Sequence, residues 1–164
     1  MDLLRAAFLY RDPLPRLLYA FKYAGRPEIG RTLADWTAAA FLRAQGFADA
    51  DALVPVPLHA RRQRHRGFNQ ALVLAQGLSR ASRLPVLEAL ARTRATLPQW
   101  RFGREDRLHR LEGAFSPRTG VTVRGRSLIL VDDVATTGGT LEACAHALRR
   151  AGARTVKAFV LARG

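Results

Sequence analysis

At 164 residues, 48% of them apolar, the chain fits one domain with a sizeable core and is too apolar to stay disordered. Its longest apolar runs are a few residues, against the roughly 20 that span a bilayer, and its one cysteine, Cys144, excludes an internal disulfide and a cysteine-only zinc site. Twenty-seven basic against 13 acidic residues give a net charge of +14, a field that draws the phosphates of a nucleotide, a nucleic acid or an acidic membrane surface.

In chain order, Met1 to Arg5 lead into a stretch broken by Arg11, Asp12 and two prolines, which is no export signal. Apolar spacing predicts helices over Leu14–Tyr23 and Arg31–Gln45, with Gly25-Arg26-Pro27 punctuating between them, so residues 1–50 are expected to form a helical N-terminal part. Ala52–Val56 reads as a short buried strand closed by Pro57. Asn69–Ser82 reads as a helix capped by Asn69, with Leu72, Leu74, Ala75 and Leu78 on or near its inner face. Pro85–Ala91 offers a strand without clear ends. Leu97–Glu112 is too charged and aperiodic for either element, and a mobile loop is expected at about 94–112. Gly113-Ala114-Phe115 is expected to resume the sheet. Ser127–Val134 is the clearest strand, Leu141–Ala151 the clearest helix and Thr155–Leu161 the final strand. Strands alternating with helices predict a single α/β domain over residues 1–164, with a mainly parallel sheet in its core from residue 51 onward.

The positive charge is almost all arginine, since Lys22 and Lys157 are the only lysines. In an alanine-rich chain that bias also fits the base composition of the gene or growth at high temperature. The excess is uneven, however: twelve arginines fall between Arg61 and Arg110 against Glu88, Glu105 and Asp106. An anionic ligand is expected to meet this stretch first.

The chemistry concentrates in Leu128-Ile129-Leu130-Val131-Asp132-Asp133-Val134-Ala135-Thr136-Thr137-Gly138-Gly139-Thr140. Four apolar residues suit a central parallel strand, and two acids follow where it should end, the edge at which open α/β sheets hold their ligands. The loop of threonines and glycines before the next helix makes a phosphate cradle from backbone N–H groups, hydroxyls and a positive helix end. Carboxylates beside a phosphate need other work, and the two vicinal hydroxyls of a ribose supply it. A nucleotide P-loop would need a lysine after the second glycine, and the dinucleotide fingerprint G-x-G-x-x-G is absent. A strand ending in solvated acids before a threonine helix cap would explain one acid and one threonine. It explains two acids, three threonines and two glycines poorly.

The segment resembles the phosphoribosyl-pyrophosphate signature of type I phosphoribosyltransferases. The whole chain resembles the ComF family of competence-associated, phosphoribosyltransferase-like proteins. That match rests on Phe21-Lys22-Tyr23, Val54-Pro55-Val56-Pro57-Leu58-His59, Arg66-Gly67-Phe68-Asn69-Gln70, and a run from Thr96 through Gln99 and Arg107 to Gly113-Ala114-Phe115. Members of the family often begin with a cysteine-rich zinc-binding segment, which this sequence lacks, and Arg110 stands where an asparagine is expected.

The resemblance implies a type I phosphoribosyltransferase-like fold with a flexible hood loop. It implies ribose-phosphate contacts from Asp132, Asp133, Ala135, Thr136, Thr137, Gly138, Gly139 and Thr140, with Asp132, Asp133 and Arg107 as catalytic residues. Pyrophosphate would lie against Leu58 and His59, with Arg62 and Arg66 supplying charge-assisted hydrogen bonds. The loop would close as a lid over a ribosyl-cation-like transition state that water would otherwise capture. Magnesium would be bound mainly through the substrate, with no metal site made by the protein alone. The implied reaction transfers a 5-phosphoribosyl group from phosphoribosyl pyrophosphate to a nitrogen acceptor. The association with competence implies a second reading, a cytoplasmic module that handles single-stranded DNA, beside a helicase, through Arg61, Arg62, Arg64, Arg101 and Trp100. A homodimer is the expected assembly, and insertion into a membrane is not expected.

Other conspicuous residues have plain readings. His59 either contacts pyrophosphate or is a surface-loop histidine, and His65, His109 and His146 lack ligand spacing. Cys144 and Trp36 are expected to pack in the core.

Overall fold

A computed structural model of the chain describes residues 1–23, 27–93 and 113–164. Strand β1 (Leu3–Leu9) is followed by helices α1 (Leu14–Tyr23) and α2 (Pro27–Arg43), strand β2 (Ala52–Pro55), and helices α3 (Ala60–Arg66) and α4 (Gln70–Ser82). Strands β3 (Leu90–Arg92), β4 (Phe115–Pro117) and β5 (Ser127–Ala135), helix α5 (Gly139–Arg150) and strand β6 (Thr155–Arg163) complete the order. The main sheet runs β1-β6-β5-β2 with every pairing parallel, as the alternating pattern predicted.

Both faces of this sheet are covered, and the alternation along the strands assigns the residues to each. Leu128 and Leu130 of β5 and Val156, Ala158 and Val160 of β6 pack with Leu141, Cys144 and Leu148 of α5. Ile129 and Val131, with Phe159 and Leu161, face the opposite layer, built from Leu18 and Phe21 of α1, Leu33 of α2, and Leu74 and Leu78 of α4. Between α2 and α4 the contact is close: a Cβ on Gly77 would fall 2.7 Å from the Ala34 methyl, so only glycine allows this separation.

Several expectations are corrected. The N-terminal part is not purely helical, because Leu3–Leu9 pairs with β6 as the edge strand of the main sheet. Its side chains are half-exposed without clean alternation, which hid the strand. Pro85–Ala91 is not a full strand: Val86 bridges Leu53 in parallel, and regular pairing starts only at Leu90. Phe115 does not rejoin the main sheet but pairs with Arg92 in a separate antiparallel hairpin. Trp36 is 47% exposed rather than core, its ring edge-on to Phe8 at 6.4 Å. Cys144 is fully buried. The expected mobile loop at about 94–112 lies outside the described residues.

Candidate active site

Strand β5 is buried from Ser127 to Val131 and then reaches the surface, so Asp132 and Asp133 mark the point where the apolar sandwich ends. Both line a cavity of about 160 Å³, together with Lys22, Pro57, Leu58, Arg62, Arg66, Asn69, Gln70, Arg92 and Thr140. The backbone holds the acids through local bonds: the Asp133 amide donates to Asp132 Oδ1 and the Val134 amide to Asp133 Oδ1, each at 2.8 Å. Lys22 Nζ reaches Asp133 Oδ2 at 2.6 Å. Burial, with the neighbouring Asp133 charge, pushes the Asp132 carboxyl up to about 8. The neutral form of Asp132 is thereby favoured, and the Lys22 ammonium sits against Asp133.

The opposite wall is cationic and is assembled from distant parts of the chain. Lys22 ends α1, whose inner face is set by Leu14, Leu18 and Phe21. Arg62 and Arg66 come from α3, a helix without a single buried residue. Arg66 donates to Gln70 Oε1 at 3.0 Å and to the Tyr23 hydroxyl at 2.8 Å, with its guanidinium 5.0 Å from the Tyr23 ring centre. Arg92, from β3, lies 5.3 Å over the Phe115 ring. Its pKa is lowered by burial and by the charge of Arg62, the mark of two cations forced towards one point. Such convergence suits a polyanion.

Asn69 ties the walls together. Its side chain caps α4 by accepting from the Ala71 amide at 3.0 Å and donates to the Val56 carbonyl at 3.0 Å, fixing the start of α4 against the end of β2. At the other side, Gly138 turns the chain from β5 into α5 with φ 77°, a conformation that needs glycine even though nothing crowds its α-carbon. No side chain caps α5, Thr136 and Thr137 are exposed, and Thr140 faces the cavity. The loop thus offers uncapped backbone and hydroxyls beside the acids.

The structure brings Asp132, Asp133, Thr140, Leu58, Arg62 and Arg66 to one cavity, with Ala135 to Gly139 on the adjoining loop. It does not place His59 among the lining residues. His59 Nδ1 instead accepts from the Arg61 amide at 3.2 Å as the N-cap of α3. Arg61 and Arg64 are exposed and outside the cavity. Arg107, Arg101 and Trp100 lie outside the described residues. A larger groove of about 550 Å³ between β4 and α5, lined by Phe115, Pro117, Glu142, His146 and Arg150, holds none of the predicted site residues.

Residues 72–164 match the family described as the phosphoribosyl transferase domain. The DNA utilization protein YhgH of Escherichia coli O157:H7 is 39% identical over 158 residues, covering 94% of this chain and 69% of that protein. Competence protein F of Haemophilus influenzae is 36% identical over 159 residues, with the same coverage. This chain belongs to the phosphoribosyl transferase family, in its ComF branch. Competence protein ComFC of Bacillus subtilis is 32% identical and is spanned over 63% of its length. Among solved structures, the glutamine phosphoribosylpyrophosphate amidotransferase of B. subtilis superposes with a TM-score of 0.55 at 22% identity. The superposition covers 86% of this chain and 30% of that one, which shows a shared fold.

Within this ComF-branch site, Lys22, Gln70 and Arg92 were not assigned from the sequence. Lys22 carried a usable signal, since one of only two lysines in an arginine-dominated chain marks a place where a compact ammonium is wanted. Arg92 had none, being one arginine among twelve in its stretch.

Proposed function

We propose that the chain binds phosphoribosyl pyrophosphate in the cavity at the end of β5 and transfers its 5-phosphoribosyl group to a nitrogen acceptor. The observation that carries this reading is the facing of two adjacent carboxylates against Arg62, Arg66 and Arg92 across one cavity beside the Gly138 loop. Asp132 and Asp133 take the ribose hydroxyls, and the uncapped start of α5 with Thr140 takes the 5′-phosphate. The arginine wall takes the diphosphate. In the reaction the bond from the anomeric carbon to the diphosphate oxygen breaks, and a bond from that carbon to the acceptor nitrogen forms. The electron pair leaves with the diphosphate, whose growing charge the arginines stabilise.

Magnesium fits as a companion of the substrate. Among the described residues no three His, Cys, Asp or Glu side chains cluster to hold a metal. Asp132 Oδ1 and both Asp133 oxygens already have partners, so most ligands would come from substrate and water. When bound it would neutralise the diphosphate leaving group.

Calorimetric titration with phosphoribosyl pyrophosphate and Mg²⁺ tests the site against the Asp132→Asn, Asp133→Asn double variant. Binding in the parent that the variant loses supports the assignment, and release of pyrophosphate with a panel of nitrogen bases then tests transfer. Equal affinity in both proteins would refute it.

A second reading concerns nucleic acid and rests on α3, which exposes Arg61, Arg62 and Arg64 and buries none of its residues. Such a surface suits a phosphate backbone. Single-stranded DNA binding that weakens steeply with salt, and further in Arg61→Ala with Arg64→Ala, is the expected result. Salt-insensitive binding would overturn this reading.

A further inference from the structure

Gln70 opens α4 and is 2% exposed, yet it lines the cavity. Its Oε1 accepts from Arg66, and a guanidinium only donates, so the oxygen of the amide must face Arg66 and the nitrogen must point away. Among the described residues Nε2 has no hydrogen-bond partner. A buried donor left unmade costs more than an ordinary hydrogen bond contributes, so such a group calls for an acceptor. The surrounding cationic wall cannot provide one. The charged ends of Lys22, Arg62, Arg66 and Arg92 carry donors and no acceptor. Because Gln70 lines the cavity, a ligand seated there can bring the acceptor, which must tolerate several positive neighbours.

We propose that Gln70 is a positioning residue for the diphosphate group, donating from Nε2 to a non-bridging diphosphate oxygen while Arg66 holds the amide in register. The assignment rests on the reading of the cavity as a phosphoribosyl pyrophosphate site and adds a residue to it. Arg66 then has two tasks, since the same guanidinium that attracts the anion also orients the neutral donor beside it.

The test compares the parent with Gln70→Met, which keeps the length and removes the Nε2 donor together with the Oε1 acceptor of Arg66, by titration with inorganic pyrophosphate, ribose 5-phosphate and phosphoribosyl pyrophosphate, each with Mg²⁺. Affinity for the two diphosphate ligands should fall about 10-fold in the variant, with ribose 5-phosphate within about 2-fold. A uniform loss across all three ligands, or a lowered melting temperature with unchanged affinities, would assign Gln70 a structural role and overturn the proposal. Gln70→Glu keeps the Arg66 partner and the shape while turning the donor into an acceptor. It should lose diphosphate binding more strongly than Gln70→Met, and a milder loss would also overturn the proposal. Parent protein that binds none of the three ligands would reject the cavity reading itself. Diphosphate binding by the parent that Gln70→Met retains would reject only the role of Gln70.

Discussion

The two walls of the cavity are built in opposite ways. The acidic wall is one continuous run, Asp132 to Thr140, carried by the end of a buried strand and the start of a helix. The cationic wall collects Lys22 from α1, Arg62 and Arg66 from α3 and Arg92 from β3, three elements far apart in the chain. A continuous run keeps its geometry wherever the strand goes, whereas a collected wall depends on every element that contributes to it. The first should resist single changes elsewhere in the protein, and the second should register them.

The largest effect should come from removing the acidic wall. Replacing Asp132 and Asp133 by asparagine should weaken phosphoribosyl pyrophosphate binding by about 100-fold or more, since the pair accepts from both ribose hydroxyls. Circular dichroism should show the fold intact. Next, Arg62→Ala and Arg92→Ala should each lower pyrophosphate affinity by about 10-fold to 100-fold, read by calorimetry. Arg64→Ala, outside the cavity on the same helix as Arg62, should leave it within about 2-fold. Equal losses for Arg62 and Arg64 would show a diffuse basic field rather than a built wall.

Breaking the link between the walls should act on stability. Lys22→Met removes the partner of a mostly buried carboxylate, Asp133, at a cost of about 2 kcal/mol after allowance for its partial exposure. For a chain of this size that lowers the melting temperature by about 4–8 °C.

A separate effect is one of pH. The folded chain holds a proton on Asp132 up to about pH 8, where an ordinary aspartate releases it near 3.8. The contribution of the neutral carboxyl is therefore complete below about pH 4, declines as pH rises, and is lost above about pH 8. Melting temperatures followed from pH 5 to 9 should fall further in the parent than in Asp132→Asn, which cannot ionise. Parallel curves would show that Asp132 is ionised in the empty site.

The same contrast explains what could be read from the sequence. The acidic wall was legible because strand, acids, glycines and helix follow one another, and each obeys a local rule. Asn69 was legible as a cap for the same reason. Helix α3 was not, because with no buried residue it has no apolar period, and it is held by the His59 cap and the left-handed Gly67. Strand β1 was missed as a half-exposed sheet edge, and Trp36 was misplaced because a tryptophan in a helix suggests the core. Lys22 and Arg92 join the site only through tertiary packing, about which spacing in the chain says nothing.

Gly77 makes the cavity adjustable from a distance. Helix α4 rests against Ala34 at that glycine, and Gln70 stands seven residues earlier, about 10 Å along the same rigid rod. A single methyl group added at 77 would act as a shim under one end of a lever. The donor and the Asn69 clamp ride on the other end, so ligand affinity could be detuned by a change that touches neither wall.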